Sequence, residues 1–234
     1  MSRRLKKKKI KKRNRKINKK RVLICFFVFF LIFIAIYGLL NLPLKNIYVY
    51  DNKILSDQII IDQAQLTHYP NLYAISLRKT ARKLEENEYI LKAQLERKRF
   101  SELHIFIKEN RPLYYIDYQE KTVLYDGGKV AENFHVPVLI NYVPDLVYDE
   151  FQIAMREVSE DVLRRISEIK YNPSDYDDER FLFYMIDGNY VFVNLDTVAE
   201  INDYNFIMER IISEFGNKKG TLYLDGGGYF DPFY

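Results

Sequence analysis

Three histidines, His68, His104 and His135, are the side chains best suited by type to bind a metal or move a proton near neutral pH. A metal site needs ligands at short, regular spacing, and these three lie far apart with no cysteine beside them. His104 falls on the polar face of an alternating strand, which reads as a surface position. Nucleophilic catalysis has no better footing, because neither G-x-S-x-G nor H-E-x-x-H occurs. The acid pairs Glu85-Glu86 and Asp177-Asp178 are sequence neighbours, which do not face each other across a cleft. A solvated surface accounts for them, although carboxylates that converge only in three dimensions stay open. Gly226-Gly227-Gly228 would suit a phosphate cradle only with a helix start after it and a Lys nearby. The residues that follow contain no Lys, so the run reads as a turn next to an edge strand. These residue types give no cofactor, no metal and no catalytic centre.

The elements that would position any site are set out by one stretch, Val22–Leu40, in which 19 consecutive residues carry no charge. At about 1.5 Å rise per residue this is roughly 28 Å of helix, close to the hydrocarbon thickness of a bilayer. The core is longer than that of a cleaved signal peptide, and Tyr37–Pro43 offers no small-residue cleavage site, so the stretch reads as an uncleaved anchor. Residues 1–21 hold 14 of the 36 Lys and Arg and no acid. The rest of the chain therefore carries 22 basic against 32 acidic residues, a net of −10. Positive charge beside a span stays in the cytoplasm, which puts residues 1–21 inside and the body outside. A basic tail without aromatics has nothing to stack a base, so no nucleic acid is expected. Next to a bilayer it suits anionic lipid headgroups. The sole cysteine, Cys25, lies in the span, so the body has no disulfide.

Beyond the span, Leu44–Tyr50 reads as a strand, and Ser56 as the N-cap of a helix running to about Leu66, with Leu55 and Ile60 as a hydrophobic staple. Ser76 caps a second helix with Leu77, Ala81 and Leu84 on one stripe. Lys92–Arg97 and Leu103–Lys108 alternate as strands. Strand, helix, helix, strand, strand makes a compact α+β unit with two helices on one face of a three-stranded sheet. After Pro112 come strands at Leu113–Tyr118, Thr122–Asp126 and Pro137–Asn141, helices at Val147–Met155 and Ser159–Ile169, and a hairpin of Phe181–Ile186 with Tyr190–Leu195. A long helix from Ile201 to Phe215 and a last strand, Thr221–Asp225, close the pattern, followed by an aromatic tail. That last strand leaves one sheet edge free, able to accept a partner strand. Tyr223, Tyr229 and Phe230 are types that anchor interfaces, or else they pack inward and close the domain.

These residues resemble the DivIB/FtsQ bacterial division proteins over nearly the whole chain. Ile47-Tyr48-Val49-Tyr50-Asp51-Asn52 is similar to the family's V-x-V-x-G-N opening, with Asp51 in place of Gly. Leu55-Ser56 with Ile59 follows its l-S-x-x-x-I. Leu84, Tyr89-Ile90, Ala93, Leu95 and Arg97, then Leu103, Ile105, Ile107, Glu109, Arg111 and Pro112, resemble the block typical of the POTRA (polypeptide-transport-associated) domain. Leu124-Tyr125-Asp126 with Gly128, Pro137-Val138-Leu139 and Tyr223-Leu224-Asp225 resemble later motifs. The resemblance implies a tail at 1–21, an anchor at 22–41, a POTRA domain at 42–112 and a mixed α/β extracytoplasmic β-domain at 113–234 with an edge C-terminal strand. It implies a non-enzymatic scaffold of the division machinery at the septum. Such a scaffold binds bitopic partners of the DivIC/FtsB and FtsL type and bears on septal peptidoglycan synthesis, in which a septal penicillin-binding protein acts. Partner capture would fall to Leu222, Tyr223, Leu224 and Asp225, with Tyr229 and Phe230. The alternative is an anchored cell-wall enzyme or a sensor unrelated to division.

Overall fold

The computed structural model describes residues 19–99 and 101–233. The expected contact of residues 1–21 with headgroups lies, apart from Lys19–Arg21, outside the described residues. Helix α1 (Lys19–Leu40) exposes its Phe, Ile and Val side chains, with Leu23, Leu31 and Leu40, all round. Its stretch Lys19–Gly38 has a mean hydropathy of 2.6 and no part buried in protein. A helix apolar on every side and without protein cover is long and apolar enough to cross a bilayer.

The first core lies between a three-stranded sheet and two short helices. In chain order these are β1 (Asn46–Tyr50), α2 (Asp57–Gln63), α3 (Leu77–Glu85), β2 (Ile90–Lys98) and β3 (Glu102–Glu109). The strand order is β1-β3-β2, with β1 parallel and β2 antiparallel to the central strand. Period-two alternation turns Leu103, Ile105 and Ile107 toward Ile60, Leu72 and Leu84 in one buried cluster. The Ile59 N–H donates to Ser56 Oγ at 3.4 Å, and Leu55 and Ile60 are both buried, so cap and staple form as read. The helix stops three residues before Leu66, and Gln65 turns the chain with φ +58°. Asp51, which stands for the usual Gly, takes φ +66°, a conformation short polar side chains tolerate. Ser76 occupies the N-cap position of α3 without a side-chain cap bond.

The second core underlies a nine-stranded sheet. Its strands are β4 (Pro112–Ile116), β5 (Lys121–Leu124), β6 (Lys129–Val130), β7 (Val138–Leu139), β8 (Ile166–Tyr171), β9 (Arg180–Met185), β10 (Tyr190–Asn194), β11 (Gly220–Tyr223) and β12 (Tyr229–Pro232). Their spatial order is β12-β11-β10-β9-β8-β7-β4-β5-β6. Helices α4 (Asp145–Met155), α5 (Glu160–Leu163) and α6 (Tyr204–Phe215), the last entered through a 3₁₀ turn at Val198–Asp203, cover one face.

Three expectations need correction. The helix read over Ser159–Ile169 is one turn of α5 followed by strand β8. A register shift between Ile166 and Glu168 turns both Ile166 and Ile169 inward, so a bulged strand shows the three-residue spacing of a helix. Thr221–Asp225 is not the last strand. The aromatic tail read as following the last strand itself supplies β12, so the C-terminal edge strand exists but lies one strand further on. His104 is not a surface residue: it is 8 % exposed, stacked under the rings of Tyr48 and Tyr50, with Nδ1 sharing a 2.9 Å hydrogen bond with the Tyr50 hydroxyl.

Candidate interaction edge

Two open edges bound each sheet. On the first sheet they are β1 and β2, and β2 carries Lys92, Gln94, Glu96 and Lys98 on its outward positions, the kind of charge that discourages strand pairing. On the second they are the two-residue β6 and β12. Two of them have an aromatic surround: β1, where Tyr48 and Tyr50 stack on His104 and Phe106 of β3, and β12, where the row is longer and crosses four strands.

Registry builds that surround. Tyr229, Tyr223, Phe192 and Leu182 are directly opposed across β12, β11, β10 and β9, on the face away from the helices. The Tyr223 and Tyr229 rings stack at 4.4 Å, and Phe192 stacks on Tyr223 at 5.2 Å. The Arg180 guanidinium lies 3.6 Å over the Phe192 ring and pairs with the Asp225 carboxylate at 2.5 Å. Burial pushes the Tyr223 hydroxyl pKa up. In a parallel row, Asp231, Thr221, Tyr190 and Tyr184 are opposed, and Phe233 meets Tyr190 edge-on at 5.1 Å.

The Phe233 N–H donates to the Lys219 carbonyl at 2.7 Å. Antiparallel pairing alternates, so Asp231 and Tyr229 turn their main-chain groups to β11 and Phe230 and Pro232 turn theirs to the open edge. The edge thus offers the N–H and C=O of Phe230 and the C=O of Pro232. Proline has no N–H, which limits how far a ladder can extend.

The candidate residues divide. Leu222 and Leu224 are buried in the core, so they support the edge and do not line it. Phe230 is half-buried against Phe215 of α6, while Tyr229 is 55 % exposed. Of the terminal aromatics, Phe230 therefore packs inward while the Tyr229 ring stays exposed. Asp225 is held by Arg180. The residues of the POTRA motif lie elsewhere. Arg97 donates to the carbonyls of Leu72 and Ile75 at 3.1 and 2.5 Å. Glu109 accepts from the N–H groups of Lys53, Ile54 and Leu55. Arg111 donates to the carbonyls of Arg156 and Val158, and Pro112 opens β4. Glu109, Arg111 and Pro112 line a cleft of about 640 Å³ between the sheets, which the Lys53–Glu160 pair spans at 2.9 Å.

Sequence reasoning missed Gly220 and Asn189. Asn189 is fully buried; its amide donates to the Tyr204 hydroxyl, and its oxygen accepts from the Gly220 N–H at 3.0 Å. The sign was visible as Asn after Asp187-Gly188 in a hairpin, but not its reach to β11. The spacing S-x-x-K occurs at Ser76–Lys79 and Ser167–Lys170. Ser76 is an exposed helix start, and Ser167 Oγ donates to the Tyr184 carbonyl. Among the described residues no three metal-ligating side chains gather.

A model of the FtsQ-type POTRA domain matches residues 42–110. The cell division protein DivIB of Bacillus subtilis (strain 168) is 27 % identical over 233 residues, 95 % of this chain and 88 % of that protein. The chain thus carries an FtsQ-type POTRA domain and is similar to DivIB proteins over nearly its whole length. DivIB of Geobacillus kaustophilus (strain HTA426) is 26 % identical over 96 % of this chain and 89 % of its own length. The extracytoplasmic domain of DivIB from Geobacillus stearothermophilus, a solved structure, is 21 % identical with a TM-score of 0.37, covering 46 % of this chain and 97 % of that one. This similarity, together with the one helix among the described residues that is long and apolar enough to cross a membrane, supports a membrane-anchored protein with a division-related role.

Proposed function

We propose that this chain is a non-catalytic scaffold of the division machinery that captures a bitopic partner of the DivIC/FtsB or FtsL type by strand addition along β12. The basic tail stays in the cytoplasm and the two sheets lie outside, at the septum, where the captured partners bear on septal peptidoglycan synthesis and its penicillin-binding protein. The observation that carries this reading is the open β12 edge beside the Tyr229–Tyr223–Phe192 row. Main-chain pairing at Phe230 supplies register and affinity, and the exposed rings supply selection.

A photocrosslinking amino acid placed singly at Tyr229, Asp231, Thr221 and Lys92 in dividing cells tests the assignment. Capture of the DivIC-type partner is expected from Tyr229 and Asp231 and not from buried Thr221 or from Lys92 on the β2 edge. Capture from Lys92 alone would move the site to the POTRA sheet.

A further inference from the structure

The loop that meets the end of the span is unlike the rest of the body. Residues 63–84 contain no acid and four basic residues, Arg78, Lys79, Arg82 and Lys83, within a body of net charge −10. Arg78, Lys79 and Arg82 are exposed, and none of the four side chains has an ion-pair partner among the described residues. Arg78 and Lys79 stand in the first turn of α3, which has no acid there. Cations at that end oppose the helix dipole, so local helix stability does not account for them.

Main-chain bonds fix where this loop sits. The Leu72 N–H donates to the Leu42 carbonyl at 3.0 Å, and the Leu44 N–H to the Pro70 carbonyl at 3.2 Å. Pro43 and Asn71 form an antiparallel bridge. Leu42 follows the last residue of α1, Leu40, by two positions, a reach of no more than about 7 Å. Residues 70–72 are therefore held at the level where the span leaves the hydrocarbon. Two tyrosines flank them, Tyr69 at 53 % and Tyr73 at 39 % exposure. Tyrosine is the residue type that partitions to headgroup depth. Arg97 pins the Leu72 and Ile75 carbonyls and stacks over Tyr73 at 5.4 Å, so the loop is presented by a rigid strand.

We propose that residues 69–79 form a membrane-contact surface, with Tyr69 and Tyr73 at the headgroups and Arg78 and Lys79 against anionic lipid phosphates. The occupant is the leaflet at the C-terminal end of the span, whichever side of the membrane that is. The contact fixes the tilt of the POTRA sheet and is independent of partner capture at β12.

The chain has no tryptophan, so Tyr69→Trp gives a single reporter in the full-length protein. It would be placed in nanodiscs of phosphatidylglycerol with a nitroxide headgroup lipid, with Tyr142→Trp, an exposed position in the second sheet's domain, as the comparison. The residue 69 reporter should be quenched at least about threefold more than the residue 142 reporter, and Arg78→Glu with Lys79→Glu, or phosphatidylcholine in place of phosphatidylglycerol, should remove most of that excess. The double variant places acids where the helix dipole favours them, so lost quenching would not reflect a melted α3. Equal quenching at both positions would overturn the proposal. So would quenching indifferent to charge and lipid, or an emission change produced by added polyglycerol phosphate and not by lipid.

Discussion

Gly220 lies so close under Asp231 that a Cβ on Gly220 would collide with the Asp231 carbonyl oxygen, with a Phe230 ring carbon 2.5 Å away and Pro232 Cα at 2.8 Å. The close approach of β12 to β11 depends on this missing side chain. Gly220→Ala should therefore displace β12 at a cost of about 1–3 kcal/mol, the range for overpacking a filled site. Crosslinking from Asp231 should fall with it, while urea unfolding should remain cooperative. An unchanged stability and crosslink yield would mean that β12 does not need this approach.

Asp225 and Arg180 are both mostly buried beside the aromatic row, with side chains 11 % and 19 % exposed. Asp225→Ala leaves the guanidinium without its counter-charge, and removing one partner of a buried pair costs about 3 kcal/mol. Restoring neutrality with Arg180→Met in the same chain should recover much of the loss. A double-mutant cycle on urea midpoints measures it, and additive losses would show that the pair is not coupled.

Arg97 joins β2 to the loop at Leu72 and Ile75 through two charge-assisted bonds. Arg97→Met keeps the stem and removes both donors, a change worth about 1–3 kcal/mol for each carbonyl left unpaired. Amide exchange at residues 70–76 should accelerate more than at β3. Uniform acceleration across the sheet would indicate a global effect instead.

Glu160 has a carboxyl pKa held below its ordinary 4.5 by the hydrogen bond from Lys53, against a smaller opposing effect of burial. A depressed folded-state pKa contributes stability that is fully present above 4.5 and is lost as pH falls through the folded value. Both partners are substantially exposed, so the contribution is below about 1 kcal/mol. The stability difference between the native chain and Glu160→Gln should be constant above pH 4.5 and shrink as pH falls below it. A difference that grows with acidification would reverse the assignment.

Much of the first sheet could be read from local pattern. Ser56, Leu55 and Ile60 lie within five residues of one another, so cap and staple are sequence-local. The alternation of Leu103, Ile105 and Ile107 likewise needs no partner to be seen. The candidate edge was less accessible. Leu222 and Tyr223 read as the terminal edge strand because nothing in Tyr229-Phe230-Asp231-Pro232 announces a strand: three glycines precede it and a proline ends it. Only pairing with β11 makes those four residues extended. His104 fails for the same reason, since its covers, Tyr48 and Tyr50, are over fifty residues away.

The sequence alone determined the apolar helix, the charge asymmetry across it, and the strand-helix-helix-strand-strand order with its family resemblance, because each rests on composition or short-period spacing. Tertiary structure decided which strand ends the sheet, which rings turn outward, and that residues 70–72 lie at the span's exit. Those depend on hydrogen bonds and packing between segments distant along the chain, and spacing along a single segment carries no record of its partners.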